Sequence, residues 1–141
     1  MKVFQSKFKA LSGTDYKEIY TKAKAIFLKI KKRSKRKPYV RSAYFRNSKF
    51  FIDYFWEHLH QKNQADRLRR LRFYACALEL IQKTRLPPII KGHVNKPHHS
   101  MHRFYGKTPN NEVFVVQILE DIKTDKKYFL SVFPYDISSE K

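Results

Sequence analysis

Val113-Phe114-Val115-Val116-Gln117-Ile118-Leu119-Glu120 is the stretch on which the fold turns. Its β-branched and aromatic residues suit a strand, and a helix holds Val-Phe-Val-Val poorly. Two stretches of the same kind flank it, His102 to Tyr105 and Tyr128 to Phe133, the second closed by Pro134. Lys107 to Asn111 and Lys123 to Lys126 read as the turns between them. Pairing the later hairpin around Thr124-Asp125 sets Ile118 near Ser131 and Gln117 near Val132, so Gln117 and Ser131 are expected on opposite faces.

Upstream the period changes. Behind a cap at Thr14 or Asp15, the residues Tyr16, Ile19, Tyr20, Ala23, Ile26, Phe27 and Ile30 form one apolar helical stripe, and Pro38 ends any helix. A second helix is expected from Asn47 or Ser48 through Phe51, Tyr54 and Phe55 to His58-Leu59. A third runs roughly from Ala65 to Lys83 along Leu68, Leu71, Ala75 and Leu78, before Leu86-Pro87-Pro88. Residues 1–13 read as a lead-in, and Ile89-Ile90 as a short strand or an anchor. The expected fold is α+β, with about three N-terminal helices followed by a C-terminal antiparallel β-meander. Two parts are expected: a basic N-terminal helix and arm over residues 1–46, and helices plus sheet over residues 47–141.

Of 141 residues, 31 are Lys or Arg and 12 Asp or Glu, a net charge of +19 that selects polyanionic partners. A 42% hydrophobic and 16% aromatic content supports a packed core rather than disorder. A single cysteine excludes a disulfide scaffold, and Cys76 among apolar neighbours reads as a small buried hydrophobe. No apolar run reaches the roughly 20 residues of a membrane span, and no signal-peptide core opens the chain. A cytoplasmic location and no membrane partner are expected.

The charge is concentrated. Residues 1–50 carry 16 Lys and Arg against 2 acids, whereas residues 101–141 carry 6 of each. Nucleic acid is the expected partner, because phosphate contacts supply most sequence-independent affinity. The candidates are Lys31, Lys32, Arg33, Lys35, Arg36 and Lys37, then Arg41, Arg46 and Lys49 in and beyond the aromatic-basic segment Pro38 to Arg46. Such a segment can stack on bases and pair with phosphates at once, unless the run is only a solvated face. Arg69 and Arg70, near the start of the third expected helix, oppose its dipole there and face phosphate or water.

Four of the six histidines, His93, His98, His99 and His102, fall within ten residues. Pro97 and the strand pattern argue against a helical His98–His102 metal pair, so neither metal nor cofactor is expected. His102 opens a strand and precedes Arg103, which pairs a proton carrier with a fixed cation. Alternation points the two to opposite faces unless a bulge re-aims one.

The segments His102 to Thr108, Phe114 to Ile118 and Lys127 to Pro134 resemble the C-terminal sheet of the BECR-fold nucleases, the superfamily of barnase, EndoU, colicin-type tRNases and RelE-type toxins. The likeness covers about the last 40 residues and, loosely, the helices before them. It implies metal-independent RNA cleavage, with 2′-hydroxyl attack on the adjacent phosphate. It gives His102 the role of base or acid and makes Arg103, Arg41, Arg46 or Lys49 a phosphate clamp. Gln117, Ser131 and Thr108 become hydrogen-bonding candidates. A barnase-like carboxylate base would be Glu112 or Glu120. The implied partners are tRNA, rRNA or mRNA, and an acidic antitoxin or immunity protein. The alternatives are a non-catalytic RNA- or DNA-binding module and a ribosome-associated basic protein.

Overall fold

Alternating buried and exposed residues build the sheet, and one continuous apolar stripe docks the longest helix into the core, chiefly against the other helices. In the computed structural model, which describes residues 2–92 and 97–135, the elements run β1 (Val3–Gln5), α1 (Tyr16–Arg33), β2 (Tyr39–Ser42), β3 (Ser48–Phe51), α2 (Asp53–Leu59), α3 (Gln64–Leu71), α4 (Tyr74–Lys83), β4 (Ile89–Gly92), β5 (His99–Lys107), β6 (Val113–Asp121) and β7 (Lys126–Pro134). His93 lies outside the described residues. No helix among those described is long and apolar enough to cross a membrane.

The fold is α+β, but the sheet is not an antiparallel meander following the helices. It is a mixed seven-stranded sheet in the order β1-β5-β6-β7-β3-β2, with β4 also paired to β5. The parallel pairs are β1 with β5 and β3 with β7. Three strands were hidden in stretches assigned otherwise. The lead-in holds β1, the aromatic-basic segment holds β2, and β3 occupies what reads as the first turn of the second helix. Ile89-Ile90 belongs to β4, antiparallel to β5.

Asp15 accepts from the Glu18 amide at 2.9 Å and Glu18 accepts from the Thr14 amide at 2.9 Å, a reciprocal cap that starts α1. Its buried stripe is Ile19, Ala23, Phe27 and Ile30. The third expected helix is two, α3 and α4, with the break at Arg72-Phe73. Leu71, Phe73 and Tyr74 are all buried. On one unbroken helix Phe73 would sit about 200° around from Leu71, so no single face could bury both. The break lets Phe73 stack on Phe114, with ring centroids 5.5 Å apart.

The helices pack on one face of the sheet, against Val40, Phe50, Phe104, Phe114, Val116, Ile118, Phe129 and Val132. Tyr105, Val115 and Leu119 are buried outside that cluster, on the opposite face. The N-terminal segment is tied to α4 through the buried Glu79, which accepts from Ser6 Oγ at 2.5 Å and from the Lys7 amide at 3.1 and 3.2 Å. Cys76 is buried against this segment, and burial pushes its thiol up to about 11.

The β6–β7 hairpin departs from the expected register. Ile118 pairs with Phe129 and Gln117 with Ser131, and a bulge absorbs the difference. Gln117 and Ser131 therefore share a face.

Candidate nucleic-acid interface

α1 ends at Arg33, and the chain bends through Lys35, Arg36 and Lys37 before β2. Cations in the last helical turn complement the dipole, so Lys31, Lys32 and Arg33 have an ordinary structural use there. What helix stability does not explain is their neighbourhood. Arg33, Ser34, Lys35, Arg36 and Lys37 line a concavity of about 740 Å3 together with Tyr39 from β2, Lys49 and Phe51 from β3, and Lys126 from β7. Six cations from three separate parts of the chain converge, and among the described residues no carboxylate belongs to the lining. Lys31 and Lys32 are exposed but do not line it.

Pairing explains how the strands deliver these groups. Tyr39 is opposite Phe51 and Arg41 opposite Lys49, all on the face away from the helices, while Val40 and Phe50 point into the core. Lys49 Nζ lies 4.6 Å from the centre of the Tyr39 ring, and the Arg41 guanidinium lies 5.4 Å from it. Arg41 also donates to the Asn47 carbonyl at 2.9 Å and lines a smaller adjoining recess of about 250 Å3. Arg46 is exposed in the loop between β2 and β3, at a left-handed φ of 54°, and lines neither hollow.

Arg69 and Arg70 are differently placed from their expected position. They stand in the last turn of α3 rather than near the start of a long helix, so the dipole favours them. Both are taken by Asp66, at 3.0 and 3.2 Å. Burial works against that carboxylate's charge, but hydrogen bonds and charge from the two arginines outweigh it and hold Asp66 below its ordinary range. Arg70 also covers the Phe133 ring at 5.3 Å.

The residues assigned to catalysis from sequence divide into three groups. Arg103, Gln117 and Ser131 form a line across β5, β6 and β7 on the open face: Arg103 Nε donates to Gln117 Oε1 at 3.1 Å, and Gln117 Nε2 donates to Ser131 Oγ at 2.9 Å. Thr108 is fully buried and closes the β5–β6 connection, its hydroxyl accepting from the Glu112 amide at 3.0 Å and donating to Asn110 at 2.6 Å. His102 is on the helix side, only 5% exposed. Its Nε2 is 2.9 Å from Glu120 Oε1, and the second Glu120 oxygen lies 3.6 Å from Lys127 Nζ. Lys127 meets Asp125 at 3.2 Å, and the Phe45 ring packs edge-on to His102 at 5.2 Å. His102 Nδ1 is buried with no hydrogen-bond partner among the described residues.

No family model, curated protein or solved structure matches this chain.

Phe51, Lys126, Lys127 and Tyr128 were missed by sequence reasoning. Lys126 was counted as turn, and Phe51 as helix. Phe51, Lys126 and Tyr128 share a face, with Lys127 on the other, only because β3 pairs in parallel with β7, Phe51 beside Tyr128, a long-range contact that no local pattern announces.

Proposed function

We propose that this chain binds nucleic acid, holding phosphates in the concavity between the α1–β2 connection and strands β3 and β7. The observation that carries the reading is the convergence of Arg33, Lys35, Arg36, Lys37, Lys49 and Lys126 around Tyr39 and Phe51, with no carboxylate in the lining among the described residues. A solvated charge run explains Lys35 to Lys37, but it does not explain why Lys49 and Lys126 join them. Gathered like charges repel one another, and a polyanion relieves that cost.

Charge-matched variants test it. Lys35→Glu/Lys37→Glu alters the concavity, whereas Lys31→Glu/Lys32→Glu changes net charge equally on the helix outside it. Fluorescence anisotropy with labelled RNA and DNA should show the first pair weakening binding at least tenfold more than the second. Equal losses would sink the reading.

Metal-independent RNA cleavage, the activity implied by the BECR resemblance, is a second reading, favoured by one observation. Glu120, His102 and Lys127 bring a carboxylate, an imidazole and an ammonium into one cluster. Transesterification needs a base, an acid and a cation at the phosphate. The cluster lies on the other face of the sheet from the cationic concavity, which ranks cleavage second. RNA incubated with the protein in EDTA should yield fragments ending in cyclic phosphate, lost in His102→Ala. Intact RNA would remove this reading and leave binding untouched.

A further inference from the structure

We infer that the nucleic acid taken up is a single strand laid across the open sheet face, with bases against an aromatic row and phosphates toward cations along one side. The inference rests on the nucleic-acid reading above and adds the form of the ligand and its path. Consecutive pairings place Tyr39, Phe51, Tyr128, Leu119 and Met101 in one row over five adjacent strands. Strands lie about 4.8 Å apart, so the row is about 19 Å long. Tyr39, Phe51 and Tyr128 are half-buried and keep part of their ring surface open beside Tyr54 of α2, while Leu119 is buried and Met101 half-buried at the far end of the row.

The flanks of this row differ in chemistry. On one side come Arg41 and Lys49, then Lys126 opposite Asp121, so three cations line the end nearest the concavity. On the other side runs the Arg103–Gln117–Ser131 line, in which the bond from Nε sets the plane of the Arg103 guanidinium. Cross-strand aromatic pairs also stabilise sheets, and Phe51 and Tyr54 do pack on Tyr128, with centroids 5.9 and 5.4 Å away. Arg41 and Lys49 also pack against the Tyr39 ring, but they and Lys126 remain exposed, with their charge open to a ligand. A single strand uses both, because every base has a face to stack and every linkage a charge. A duplex buries its base faces and offers this surface only phosphates, so the row would be idle.

The test compares poly(U), poly(dT) and a duplex RNA for binding to the wild-type protein and to Phe51→Leu and Tyr128→Leu, which keep apolar bulk while removing the ring. Thermal melts establish that each variant is folded. Expected is a preference for both single strands over the duplex, with each leucine variant losing about tenfold on single strands and little on the duplex. Poly(U) bound much more tightly than poly(dT) would assign the 2′-hydroxyl to the path, within the same inference. Duplex binding as tight as single-strand binding, with folded leucine variants unchanged, would overturn the inference and leave the cationic concavity standing. Failure of all three polymers to bind would overturn both.

Discussion

A Cβ atom on Gly106 would lie 2.5 Å from Phe114 Cζ, 2.9 Å from Phe114 Cε2 and 3.0 Å from Leu80 Cδ1. Phe114 is fully buried and stacked on Phe73, so its ring has no room to yield. Gly106→Ala should therefore destabilise the protein by about 1–3 kcal/mol, the usual cost of overpacking a core, measured by urea unfolding. A neutral substitution would mean that the β5–β6 pair sits further from α4 than described. The same close packing explains Thr108, whose hydroxyl serves the turn after β5. Its burial and saturated bonding make it a structural residue, although its place near His102 and Arg103 in sequence suggested chemistry. His102 itself was legible as unusual, since a histidine opening an apolar strand needs a polar partner. That partner, Glu120, follows from the β5–β6 register, where His102 pairs with Ile118 and Glu120 is two residues along the same face.

Elements were legible where a long period ran undisturbed and illegible where one residue type serves two structures. α1 follows its stripe and cap, and the strands β5, β6 and β7 fall on their apolar runs. Asn47 and Ser48 are good helix caps, which is why a helix was expected there. Asn47 instead takes a left-handed φ of 65° at the hairpin between β2 and β3. The bulge in β7 was invisible because alternation alone assigns faces, and one extra residue reverses them. Arginine placement in α3 shows the same dependence on boundaries. With the helix ending at Leu71, Asp66 holds Arg69 and Arg70 in its favour rather than against it. Because the folded protein keeps Asp66 below its ordinary carboxylate range, the stability it contributes is present at neutral pH and lost as pH falls through its folded value. Asp66→Asn should cost about 1 kcal/mol near neutrality, and denaturant melts at successively lower pH should show the gap closing. A gap that stayed constant to acid pH would remove the carboxylate's charge as its source.

At the scale of the molecule, the sheet divides two roles. One face anchors α1 and α4 through the aromatic core, and the other carries Tyr39, Phe51 and Tyr128 between cations and the Arg103–Gln117–Ser131 line. The concentration of positive charge in residues 1–50 was plain from composition. Its focus was not, because Lys126 joins Arg33 to Lys37 and Lys49 only through the parallel β3–β7 pair. The central claim is that this focus, rather than the overall charge of +19, grips nucleic acid. It is tested most directly by the slope of log affinity against log salt for single-stranded RNA, measured for the wild-type protein, Lys35→Glu/Lys37→Glu and Lys31→Glu/Lys32→Glu. Engagement of all six cations would give a wild-type slope of roughly −4, shallower by about 1.4 for the first variant and unchanged for the second. Identical slopes and identical losses in the two variants would contradict the claim and return the basic run to the role of a solvated face.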